Sequence, residues 1–145
     1  MTAFQAMRLP SARDVVATDG CDVRILLGLA GGTMAHFELP PGHTSSAVTH
    51  RTVEEIWYFL SGRGEMWLKQ EGREEIVPLE SGVCLTIPLG THFQFRSLGD
   101  QALSAVSITM PVSEMARRRA AMDKPSSPGR LRSRMTISGA KRRNA

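Results

Sequence analysis

The sequence predicts an all-β single domain, a barrel or sandwich of short strands followed by a short helix and a basic tail. Three observations carry that expectation. From Val23 the chain alternates apolar and polar residues in short runs (VRILLGL, TMAHFEL, SAVTH, EEIWYFL, GEMWLKQ, REEIVPL, VCLTI, HFQFRSL and ALSAVSITM), the period-2 pattern of half-buried strands. Gly, Pro and Ser punctuate these runs at even spacing, and many short strands so spaced argue for a sandwich or a closed barrel, since closure removes exposed sheet edges. The length of 145 residues suits one domain with a real apolar core.

Taken in order, residues 1–22 read as an N-terminal arm. Pro10 and Gly20 interrupt it, and it has room for an edge strand or a turn. Residues 23–112 hold the strands. Within them the SGRG segment at 61–64 supplies glycines able to take positive φ, so EEIWYFL and GEMWLKQ are expected to form a hairpin. KQEGR at 69–73 should turn the chain again. Residues 113–145 form the third part: Ser113 can cap a short helix, SEMARRRAAM, and Pro125 and Pro128 stop its continuation. Beyond Asp123 the chain has few large apolar residues and no periodicity, so a disordered tail is expected.

Charge divides along the same line. Through Ser113 there are eight Lys and Arg against twelve Asp and Glu, a net −4; from Glu114 onward ten basic residues face two acidic ones, a net +8. The overall +4 therefore belongs to the tail. No apolar run has the length of a signal peptide or a bilayer span, so a cytoplasmic chain without a membrane partner is expected. Cys21 and Cys84 lack metal-ligand spacing, and Cys84, in the run VCLTI, reads as a buried structural thiol. No phosphate loop, paired-cysteine zinc pattern or Gly-x-Ser-x-Gly elbow is present, which leaves nucleotide hydrolysis and serine-hydrolase chemistry without support.

The candidate site comes from alternation. Side chains two apart share a face, so Val48 and His50 point one way, and Glu55, Trp57 and Phe59 line one face of the next strand while Ile56, Tyr58 and Leu60 line the other. A carboxylate on an aromatic face needs a partner, and His50 is the nearest candidate. His43 reads as a loop residue, and His36, alternating with Met34 and Glu38, as a surface one. Tyr58 faces away from Glu55 and is not assigned as an acid. Trp57, Phe59, Trp67, Phe93 and Phe95 read as barrel packing, with those near the mouth making an apolar pocket.

Two segments, PGHTSSAVTHRTVEEIWYFLSG and SGVCLTIPLGTHFQFRS, resemble the two signature motifs of the cupin superfamily, in particular its small single-domain members. Gly42, His50, Glu55 and Gly62 fall at the spacings of the first motif, and Gly82, Pro88 and Gly90 at those of the second. The resemblance implies a double-stranded β-helix, or jelly-roll barrel, and a homodimer. In metal-binding cupins three histidines and one glutamate hold divalent iron, manganese, nickel or zinc; here Val48 and Phe93 stand at two of the histidine positions and Ser97 at an asparagine position. Alignment puts Phe93 and Phe95 inward and His92 outward, although a bulge after the turn at 88–91 could re-aim His92.

Three functional expectations follow. The favoured one is a small-molecule-binding cupin with a degenerate metal site and no cofactor, in which His50 and Glu55 are the polar, catalytic-type residues and Val48, Trp57, Phe59, Phe93 and Phe95 the ligand pocket, with metal-independent isomerase- or epimerase-like proton transfer as its chemistry. The second is a metal-dependent oxygenase, decarboxylase or isomerase with His50, Glu55 and His92 as ligands. The third is a regulatory module whose tail, with RRR at 117–119 and KRR at 141–143, binds an acidic partner. Nucleic acid is not the expected partner, because no aromatic residue is interleaved with those charges.

Overall fold

The structure is a computed structural model that describes residues 1–17 and 19–122. The expected tail from residue 123, with its KRR cluster, lies outside the described residues. Among the described residues ten strands and one helix are formed: β1 (Val15–Val16), β2 (Asp22–Leu29), β3 (Gly32–Leu39), β4 (Val48–Thr49), β5 (Val53–Ser61), β6 (Gly64–Gln70), β7 (Arg73–Leu79), β8 (Cys84–Ile87), β9 (His92–Ser97), β10 (Leu103–Pro111) and α1 (Glu114–Met122). The helix begins directly after Ser113, with Glu114 in its first turn and paired to Arg118 at 3.3 Å.

The strands make two antiparallel sheets, one of six strands in the order β1-β2-β3-β10-β5-β8 and one of four in the order β4-β9-β6-β7. Two sheets packed face to face are the jelly-roll architecture that the strand spacing implied. The core lies between them: Leu39, Trp57, Phe59, Met66, Leu79, Ile87, Phe93, Phe95 and Leu103 are all buried. The arm does contribute an edge strand, β1, paired with the start of β2.

One expected connection is different. β5 and β6 do not form a hairpin; β5 pairs with β10 and β8 in the large sheet, whereas β6 pairs with β7 and β9 in the small one. The SGRG segment carries the chain across the sandwich. Its glycines serve close approach: Gly62 has φ of +84°, and a Cβ there would lie 2.3 Å from the Ala102 carbonyl oxygen, while one on Gly64 would lie 2.1 Å from that of Arg96. The turn in KQEGR is a true hairpin, β6 to β7, with Gln70 opposite Arg73.

Two burial expectations are also corrected. Cys84 is exposed, because in so short a strand alternation turns Leu85 and Ile87 inward and leaves Cys84 and Thr86 outside. Cys21 is the buried thiol, and burial beside Asp19 pushes its pKa up. His36 does lie on the outer face of β3, in register with Arg24 and Val106, but it is buried there.

Candidate functional site

The site is built where β4, β5 and β9 meet at one end of the sandwich. β4 and β9 pair with Val48 opposite Phe93 and Thr49 opposite His92, so Val48 and Phe93 share the inner face. His50 follows β4 and packs its ring against Phe93, with centroids 5.6 Å apart. Across the sandwich Glu55 opens the inner face of β5, opposite Thr109 on β10 and Ile87 on β8.

The turn at 88–91 holds these pieces in place. Gly90, at φ +83°, donates its N–H to the carbonyl of His50 at 3.0 Å, and the N–H of Leu89 reaches the Glu54 carboxylate at 3.1 Å. The second motif thus holds the backbone of His50 and the side chain of Glu54, the neighbour of Glu55.

Glu55 is 94% buried and fully engaged. Its Oε1 accepts the indole N–H of Trp57 at 3.0 Å and lies 3.3 Å from His50 Nε2, and its Oε2 accepts the hydroxyl of Thr109 at 2.8 Å. Burial alone would push this carboxyl up, yet the donors from His50, Trp57 and Thr109 prevail and hold its pKa below the usual range. The same contact raises the pKa of His50, against the opposing effect of burial. The result is a charge-assisted pair with Glu55 the ionised, fixed member. His50 keeps about a third of its side chain exposed and is the member that solvent reaches.

The structure therefore brings together His50 and Glu55, with Val48 and Phe93 beside them. His92 is not part of this group: it shares the outer face of the small sheet with Thr49 and Lys69, with no bulge to re-aim it. Among the described residues no group of three or more His, Cys, Asp and Glu side chains is placed to hold a metal ion. The donor set does not fit the four-ligand centre of metal-binding cupins, since Val48 and Phe93 offer no lone pair and the oxygens of Glu55 are already bonded.

The expected ligand-pocket residues are packed together but fill the interior. Trp57 stacks on Phe37 at 4.7 Å and meets Phe59, Phe93 and Phe95 at 5.9, 6.3 and 5.3 Å between centroids. Trp67 belongs elsewhere: it lies on the outer face of the small sheet, opposite Gln94, and donates its N–H to Glu74 at 2.6 Å. A cleft of about 490 Å³ opens between the free edges of β7 and β8, over Leu68, Val77 and Leu85, with Gln70, Arg73 and Thr91 at its rim. Neither His50 nor Glu55 lines it, although Pro88 and Thr91 at its border belong to the turn that clamps His50.

Two donors to Glu55, Trp57 and Thr109, are not assigned to it by the sequence alone. Trp57 was placed on the face of Glu55 by alternation, and its indole donor was the available signal. Thr109 lies 54 residues away, and only the β5–β10 register brings it to the carboxylate.

Against this geometry, comparison with known proteins is direct. The profile of the cupin domain matches residues 35–109, just over half of the chain. The chain belongs to the cupin family. Among solved structures it is similar to a cupin 2 conserved barrel domain protein from Salinispora arenicola CNS-205 (18% identity, 85% of this chain and 100% of that one, TM-score 0.63). It is similar also to the cupin domain of Schizosaccharomyces pombe Cnp3 (13% identity, 68% and 70% covered, TM-score 0.59) and to a predicted oxalate decarboxylase from Thermotoga maritima (22% identity, 63% and 81% covered, TM-score 0.55). At these identities the likeness is one of fold. No curated protein matches the chain. No helix among the described residues is long and apolar enough to cross a membrane.

Proposed function

We propose that this cupin binds a small molecule at the mouth of its barrel through the His50–Glu55 pair, and that proton transfer by His50, without a metal, is the chemistry this pair serves. The observation that carries the reading is the asymmetry of the pair. Glu55 has both oxygens committed to three donors, so it orients His50 and stabilises its charge; His50 alone is reachable. Its raised pKa makes it a cationic donor through a wider pH range than a free histidine, which favours ligands that present a carboxylate or a polarised carbonyl oxygen. Because aromatic side chains fill the interior, the ligand must be small or must extend outward from the mouth.

The test is an NMR screen of small carboxylates, keto acids and sugars against the wild-type chain, with the His50 ring protons as reporter, repeated with His50→Gln. Binding that moves the His50 signals and is lost in the folded variant is the expected result. Binders indifferent to His50→Gln would place the site elsewhere. Near-stoichiometric iron, manganese, nickel or zinc in the purified protein, lost on His50→Ala or Glu55→Ala, would overturn the metal-free chemistry.

A further inference from the structure

The cleft between the outermost strands of the two sheets, β7 and β8, is a cavity that neither the core nor the His50–Glu55 pair uses. Its volume of about 490 Å³ falls within the roughly 300 to 1,000 Å³ of small-ligand pockets. Leu68 on β6, Val77 on β7 and Leu85 on β8 form an apolar floor, and all three are held by packing against the buried core.

The charges on the wall of the cleft stand where the strand pattern calls for apolar residues. Along β7 the inward positions run Leu79, Val77, Glu75 and Arg73, opposite Gly64, Met66, Leu68 and Gln70 of β6. Across the small sheet the inner row Val48, Phe93 and Leu68 is apolar until it meets Glu75. Such a break in an otherwise consistent pattern is expected at functional positions. Arg73 donates through Nε to Glu75 Oε2 at 2.7 Å and through Nη2 to the same oxygen. Among the described residues no other hydrogen bond or ion pair engages Oε1 of Glu75 or Nη1 of Arg73. With side chains 75% and 49% exposed, the pair adds little to stability and opens readily. Beside it the amide of Gln70 donates to Thr91 Oγ1 at 3.2 Å, which leaves the Gln70 carbonyl oxygen as a further acceptor.

We infer that this cleft binds a free α-amino acid with an aliphatic side chain. Arg73 takes its carboxylate, Glu75 and the Gln70 carbonyl take its ammonium, and Leu68, Val77 and Leu85 take its hydrocarbon. The charge pattern selects this class. A simple anion would meet Glu75 and a simple cation would meet Arg73, each a like charge, whereas a zwitterion exchanges one exposed ion pair for two and leaves the cleft neutral. No aromatic ring lines the cleft among the described residues, so the floor suits a branched alkyl group rather than a ring that stacks.

The experiment is an amide NMR titration of the full chain with leucine, run beside isocaproate, which lacks the ammonium, isoamylamine, which lacks the carboxylate, and glycine, which lacks the side chain. Leucine is expected to saturate with a Kd at or below about 1 mM, at least about tenfold tighter than any of the three, and to move the amides of Gln70, Arg73 and Thr86. Arg73→Gln and Glu75→Gln, both at exposed positions, should each weaken it at least about tenfold in a chain whose spectrum stays folded. Cys84 lines the cleft and is exposed, while Cys21 is buried, so leucine should also slow alkylation of Cys84 by iodoacetamide. Equal affinity for leucine and its one-charge analogues, indifference to both substitutions, or no saturation by about 10 mM would overturn the proposal. Shifts confined to residues around His50 would assign the amino acid to the His50–Glu55 pair and overturn the cleft site. The cleft is tested without reference to what His50 binds.

Discussion

The outer faces of the two sheets are built on opposite plans. On the four-stranded sheet the outward residues satisfy one another: Trp67 bonds Glu74, Arg96 pairs with Glu65 at 2.9 Å, and the amide of Gln94 reaches the carbonyl of Ser45 at 2.8 Å. On the six-stranded sheet Ile56, Tyr58 and Leu60 of β5 and Ile108 of β10 point outward and remain exposed. Polar groups paired in this way can be covered by the chain itself at little cost, and the buried Oε1 of Gln94 is the atom of this network that gains no such bond. An apolar face has no such internal solution, and only another surface removes it from water. The two sheets share the same inner core, so this difference concerns what each presents to the outside.

The largest effect expected from breaking this contrast is at Trp67. Trp67→Ala deletes a buried ring and leaves Glu74 without its donor, at about 3 to 5 kcal/mol in urea unfolding, whereas Tyr58→Ala on the other face should cost less than about 1 kcal/mol. Equal costs at the two positions would mean that the faces are not distinct. Next in size is Arg96→Ala. Both members of the Arg96–Glu65 pair are mostly buried, and removing the cation strands the carboxylate, at about 1 to 3 kcal/mol. The double variant Arg96→Met, Glu65→Met should recover most of that loss; a further loss instead would show that packing, not charge, decides the network.

A smaller effect separates buried His36 from half-buried His50. His36, on the apolar face, has an Nδ1 without a hydrogen-bond partner, and burial pushes its pKa down, with Glu38 opposing and Arg24 adding to the shift. A histidine depressed in the folded state favours folding above the ordinary value near 6.5, and its contribution fades as pH falls below it. His50 is the reverse. Its pKa is raised, so its contribution is complete below about 6.5 and is lost as pH rises through the folded value. The depressed Glu55 adds stability above its unfolded value near 4.3 and loses it as pH falls through the folded one. The pair therefore stabilises most between about pH 4.3 and 6.5. Chemical unfolding across pH 5 to 8 should show His50→Gln losing stability relative to wild type mainly toward the acid side, and His36→Gln gaining there. Parallel curves for the two variants would show that neither shift is real.

Much of this was legible in the chain. Alternation along EEIWYFL put Glu55, Trp57 and Phe59 on one face and Ile56, Tyr58 and Leu60 on the other, and the structure keeps that division because a strand allows no other. The glycines of the two segments announced turns, and Gly42, Gly62, Gly82 and Gly90 all adopt positive φ. The adjacency of His50 to Glu55 followed from five intervening steps and a buried carboxylate in need of a donor. What alternation cannot supply is the partner across a sheet or the cover above it. Thr109 reaches Glu55 only through the β10 register, and the SGRG turn crosses between sheets because Ala102 and Arg96 approach it from distant segments. Cys84 and His36 depart from their expected burial for different reasons: the β5–β8 register turns Cys84 outward, whereas His36 points outward as alternation requires yet is buried beside Arg24, and such burial depends on neighbours that only the folded chain supplies.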